Sequence, residues 1–102
     1  MIISREEAKL SLNITWELDP VEEMRLDQDI QSAIAYVEDF AGYPIKETDT
    51  VGRQLIKDCL RYIWNHVLSE FQVNYSEDLI MIREKYKAEN YVEESVSSDN
   101  DV

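Results

Sequence analysis

Between Val51 and Phe71 apolar residues are unusually dense. Leu55, Ile56, Cys59, Leu60, Ile63, Trp64, Val67, Leu68 and Phe71 fill a continuous arc of roughly 220° at helical spacing, about twice a one-sided stripe. The pattern predicts a long central helix from Val51 to about Phe71 or Val73, packed on two sides. Arg53, Lys57 and Arg61 recur every four residues at one margin of that arc, giving the helix a basic ridge beside its core face.

Three further helices are predicted around it. Ser4 and Glu7 have capping-box spacing and start a short helix that ends near Leu12 or Asn13. Asn13 to Leu18 reads as a connector, with Ile14 and Trp16 available to pin it to the core. Asp19 then caps a second helix with Pro20 at its first position, where a missing N–H costs nothing. That helix runs to about Ala41, with Gly42 as its C-terminal cap and Pro44 preventing continuation. Leu26, Ile30, Ala33, Ile34, Val37, Phe40 and Ala41 form its packing stripe, and Glu22, Asp27, Asp29, Gln31, Glu38 and Asp39 fall mostly outside it.

After a loop from Tyr43 to Asp49, Asp49 or Thr50 caps the central helix, and Asn74 interrupts it. Ser76 opens a weaker helix to about Tyr91, with Glu77 and Asp78 in its first turn, where acids favour the helix dipole. Leu79, Ile82 and Tyr86 make a narrow stripe on it, and Ile80 and Met81 lie off that stripe. A small domain cannot easily bury both sets, so part of this helix is expected to await a partner. The fold class expected is all-α: a single helical domain over residues 1–92, a bundle of about four helices around the long central one. The last ten residues carry four acids and almost nothing apolar, so a disordered acidic tail is expected over 93–102.

Charge sharpens the picture. The formal net charge is −12, and residues 1–50 hold twelve acids against four bases, whereas 51–92 are balanced. A surface this negative repels nucleic-acid phosphates, which makes sequence-specific DNA binding a poor fit. The lone Cys59 lies within the apolar arc and can form no intrachain disulfide, which suits a reducing cytoplasm. The N-terminus has no apolar signal core, and no apolar run approaches the eighteen or so residues that span a bilayer.

Candidate chemistry is sparse. The single His66 has no neighbours at metal-ligand spacing, and on a common helix it would stand roughly 10 Å from Cys59, too far for proton transfer. The carboxylate pairs Glu6-Glu7, Glu22-Glu23, Asp27-Asp29 and Glu38-Asp39 have the composition of acid–base or magnesium sites, but solvated helix faces carry the same pattern. Gly42 and Gly52 are isolated, so there is no glycine-rich phosphate loop. No enzyme activity, cofactor or metal is expected. The ridge of Arg53, Lys57 and Arg61 reads as a nucleic-acid contact, as an ion-pair seam against an acidic neighbour, or as solvated charge. A basic ridge on one helix and an acidic face on another suit a head-to-tail contact between copies, which closes into a ring when the rotation permits.

A short first helix ending in LSLNI, an acidic connector, DQDIQSAIAYVEDFAGYPI and then LIKDCLRYIWNHVLSE together resemble the small head–tail connector (adaptor) proteins of tailed bacteriophages. The most telling stretch is Ile30 to Ile45, where a helix ends in Tyr-Val-Glu, an aromatic residue and Gly before the loop. The resemblance covers about residues 1–75 and rests on packing and capping patterns. It implies a virion protein, assembled in the host bacterial cytoplasm, that forms a ring of about twelve copies beneath the portal protein. Such a ring extends the channel through which DNA passes without specific binding, and presents a platform to the next stopper or tail protein.

It also implies that the C-terminal region engages the portal, which maps docking to Leu79, Ile80, Met81, Ile82, Arg83, Tyr86 and Tyr91. The subunit contact is expected to set Arg53, Lys57 and Arg61 against Glu22, Asp29 and Asp39 of the next copy. The rival reading, from another class, is an acidic DNA mimic that inhibits a host nucleic-acid-binding protein.

Overall fold

The computed structural model describes residues 2–100, with side chains described over 2–90. Its elements in chain order are α1 (Arg5–Ser11), α2 (Pro20–Ala41), α3 (Thr50–Trp64), α4 (Leu68–Asn74) and α5 (Ser76–Asn100). Among the described residues the chain is all-helical. The expected disordered tail over 93–102 and the docking role expected of Tyr91 fall outside the residues described with side chains.

Local sequence sets most of the helix ends. The Ser4 hydroxyl accepts from the Glu7 N–H at 3.1 Å and starts α1. Asp19 and Glu22 close a full capping box on α2: the Glu22 N–H donates to Asp19 Oδ1 at 2.8 Å, and the Asp19 N–H donates to Glu22 Oε1 at 3.2 Å. Gly42, at φ 80°, ends α2 in the left-handed conformation that costs a glycine little. Asp49, not Thr50, caps α3.

The expected long central helix is broken in two, so the described residues form five helices and α3 stops at Trp64. The Val67 N–H bonds the Tyr62 carbonyl at 2.9 Å and the His66 N–H bonds the Ile63 carbonyl at 3.0 Å, the paired bonds of a Schellman ending. His66 takes φ 60° at the position where glycine is usual, and the Asn65 side-chain amide donates to the Arg61 carbonyl at 2.8 Å. The α1 helix ends the same way through Asn13 (φ 58°), with Asn13 bonded to Leu10 and Ile14 to Lys9. Aromatic packing favours the break. It returns Phe71 to the body of the protein, stacked on Tyr75 at 4.5 Å and edge-on to Tyr62 and Tyr36 at 5.4 and 5.8 Å.

The core lies where α2 crosses α3 and α5, with α1 and α4 closing the two ends of α3. Leu26, Ile30, Ala33, Val37 and Ala41 of α2 meet Leu55, Ile56, Cys59 and Leu60 of α3, and α5 adds Leu79, Ile82 and Tyr86. The stripe read on α2 is the one buried; Ile34 and Phe40 flank it half-buried. Of the two connector anchors expected, Ile14 is buried, but Trp16 is 52% exposed and pins nothing. Cys59 is fully buried, and that burial pushes its thiol up to about 12.

Gly52 is needed by close approach: a Cβ there would stand 2.8 Å from both Asp49 Oδ2 and Ile45 Cγ2. Alanine recovers about 1 kcal/mol of helix propensity. Against this stand about 1–3 kcal/mol of overpacking and about 1 kcal/mol for a disturbed cap. Gly52→Ala is therefore expected to lower stability by about 1–3 kcal/mol in urea denaturation, and an unchanged or raised midpoint would show that the cap can shift at no cost.

Candidate interaction surfaces

The most connected polar group of the described residues is the Asp49 carboxylate, 8% exposed. Its Oδ1 accepts from the Gly52 N–H at 2.9 Å and pairs with Lys85 Nζ at 3.0 Å. Its Oδ2 accepts from the Tyr86 hydroxyl at 2.7 Å, and that hydroxyl in turn accepts from the Lys46 N–H at 3.0 Å. One carboxylate thus caps α3 and ties α5 to the α2–α3 loop. Lys46 and Glu89 add a second, more exposed tie at 3.0 Å.

Burial works to raise the Asp49 carboxyl, but the hydrogen bonds from Gly52, Tyr86 and Lys85 and the Lys85 charge outweigh it and hold the group below the ordinary aspartate range. Burial and the adjoining carboxylate push the Tyr86 hydroxyl up to about 12.

Beside this knot lies a groove of about 510 Å³ between α3 and α5, two helices with little direct contact. Leu55 and Ile82 form its buried floor, and Val51 and Met81, 70% and 69% exposed, form its lips. A shallower hollow where α2 ends is lined by Asp39, Phe40, Tyr43, Arg83 and Lys87.

The expected subunit-contact residues differ in exposure and in the partners they find within the chain. Arg53 reaches Glu7 of its own α1 at 2.5 Å and Lys57 reaches the same carboxylate at 3.7 Å. Both are half-buried, and Arg53 Nε is shut from solvent with no hydrogen-bond partner among the described residues. Arg61 is exposed, 3.7 Å from Asp58 within its own helix and 3.4 Å from the Tyr75 hydroxyl. Among the acids, Glu22 closes the α2 cap and Asp29 lies 3.7 Å from Arg25, whereas Asp39 is exposed. The exposed members of the two sets are therefore Arg61 and Asp39. Of the expected docking residues, Leu79, Ile82 and Tyr86 are core, and Ile80, Met81 and Arg83 are exposed.

Sequence reasoning missed Arg25. Its guanidinium stacks 4.0 Å over Trp64, and Nη2 donates to the Trp64 carbonyl at 2.6 Å. The same nitrogen lies 3.3 Å from His66 Nε2; arginine has only donors, so Nε2 is the accepting nitrogen. This α2 cation thereby holds the carbonyl end of α3 where the helix dipole favours positive charge. His66 is an exposed helix-end residue and Cys59 is buried. Among the described residues no three His, Cys, Asp or Glu side chains converge as metal ligands, and no helix is long and apolar enough to cross a membrane.

No known protein family, curated protein or solved structure matches this chain.

The Asp49 knot has a defined pH dependence. The folded carboxyl titrates below its unfolded counterpart, so its contribution is complete above the ordinary aspartate value of about 4 and is lost as pH falls through the folded value. Urea midpoints measured from pH 7 down to pH 2 should fall across the acid limb, and Asp49→Asn should make that fall shallower. Parallel curves for the two proteins would mean that Asp49 does not carry the dependence.

Proposed function

We propose that this chain is a structural head–tail connector subunit of a tailed bacteriophage, which assembles as a ring beneath the portal protein, extends the DNA channel and offers a platform to a stopper or tail protein. The observation that carries the proposal is the segment Ile30 to Ile45, the stretch with the strongest family likeness. Its residues work together as one corner. Val37 and Ile45 are buried, Glu38 accepts the Ile45 N–H at 2.8 Å, Tyr36 packs against Phe40, and Gly42 turns the chain out of α2. A chain reversal specified so fully is a feature of scaffold, which supports a structural part over a catalyst.

Two further features support the reading. A net charge of −12 per copy keeps a passing duplex from adhering to a channel wall. Ile80 is exposed on α5 and lines neither hollow, which leaves an outer side of that helix on which a portal can dock. Arg61 and Asp39 are the pair assigned to the contact between copies, because each is exposed and the remaining members of the two sets are half-buried.

Mixing the purified protein with portal rings and imaging by electron microscopy tests this. Density capping the portal is expected for the native chain, with loss of the ring in Arg61→Glu and in Asp39→Lys and recovery when both changes are combined. A monomer that ignores portals but blocks a DNA-binding protein would replace the connector with the acidic DNA mimic.

A further inference from the structure

We infer that the groove between α3 and α5 is a docking site for the apolar face of a partner helix flanked by lysine or arginine.

The groove is open although the helices beside it are tightly held. Asp49 fixes the start of α3 and, through Tyr86 and Lys85, the middle of α5. At the other end Tyr75 lies on Phe71 and Tyr62. The two helices run antiparallel as walls, with Asp49 near Lys85 at one end and Asp58, Tyr75 and Asp78 around the other. The helices are anchored at the two ends of the groove, so the space between them is a standing feature of the fold.

Its lining is that of a recognition groove. Val51 and Met81 are large apolar side chains left mostly in water, facing each other over Leu55 and Ile82. Val51, Leu55 and Asp58 recur at helical spacing along one wall, as do Asp78, Met81 and Lys85 along the other. Val51 to Asp58 spans about 10 Å, two helical turns. Two such ridges accept a third helix laid between them, with apolar anchors at i, i+4 and i+7.

Charge selects among occupants. Lys85 and Asp49 neutralise each other at 3.0 Å, which leaves Asp58 and Asp78 on the rim. Asp58 accepts from Gln54 Nε2 at 3.0 Å and lies 3.7 Å from Arg61, so the acidic character of the rim rests mainly on Asp78. A cationic flank is therefore favoured and an acidic one repelled. The α2 helix of a second copy is a poor occupant: its exposed Val21 and Met24 sit among Glu22 and Glu23. The groove is present whether or not the chain acts as a connector, so the inference does not rest on that reading.

The test uses a synthetic amphipathic helix of about eighteen residues with leucines at i, i+4 and i+7 and flanking lysines, and its counterpart with glutamates in place of the lysines. Titration of the full chain is followed by amide NMR shifts and fluorescence anisotropy. The lysine peptide should bind saturably, with shifts confined to the groove, and at least about tenfold more tightly than the glutamate peptide. Val51→Asp and Met81→Asp should each weaken it about tenfold, while Ile80→Asp, outside the lining, should not. All three positions are exposed, so melting temperatures should change little.

Absence of saturable binding, equal affinity for the two peptides, or indifference to Met81→Asp would overturn the inference. Self-association of the native chain in sedimentation, abolished by Met81→Asp, would overturn it in favour of a second copy.

Discussion

A single buried carboxylate joins the two halves of this fold. Asp49 supplies the first cap of α3 and at the same time receives the Tyr86 hydroxyl and the Lys85 ammonium from α5. Removing such a group from water is unfavourable unless every lone pair finds a donor. Here the donors come from three places in the chain. The closeness this demands also explains Gly52, since any side chain at that position meets the Asp49 carboxylate. The groove beside the knot is its geometric by-product: α5 is drawn in at Tyr86 and at Tyr75, and between those points it stands away from α3.

Much of the architecture was legible in the sequence because its signals are local. Ser4, Asp19 with Pro20, Gly42 and Asp49 each act on the backbone within three or four residues, and each sits where its side-chain chemistry predicts. The narrow stripe of Leu79, Ile82 and Tyr86 was equally readable, and the core takes that set and leaves Ile80 and Met81 outside. The break after Trp64 was not readable from the apolar arc. Val67, Leu68 and Phe71 keep helical phase with α3 whether or not the helix continues, and the left-handed residue is a histidine where a glycine would have announced the end. Asn65, able to cap the Arg61 carbonyl with its side chain, was the available signal.

Long-range pairings were the other illegible part, since a sequence shows which charges exist but not which of them meet. The basic ridge was correctly placed on one margin of α3, yet Arg53 and Lys57 face Glu7 from 46 and 50 positions earlier. Arg25 was just as unremarkable in sequence, and it clasps Trp64 and His66 at the helix break. Both cases draw apparently free charge into the monomer. What is left for partners is smaller than the charge pattern alone implies: Arg61, Asp39, the lips and acidic rim of the groove, and the outer side of α5.

The central claim is that Asp49 and Tyr86 act as one unit in holding α5 to the rest of the bundle. A double-mutant cycle measures it most directly, with urea denaturation of the native chain, Asp49→Asn, Tyr86→Phe and the double variant under one set of conditions. A buried, charge-assisted hydrogen bond predicts a coupling of about 1–3 kcal/mol. Additive effects, within about 0.5 kcal/mol, would contradict the account and leave α5 held by its apolar stripe alone.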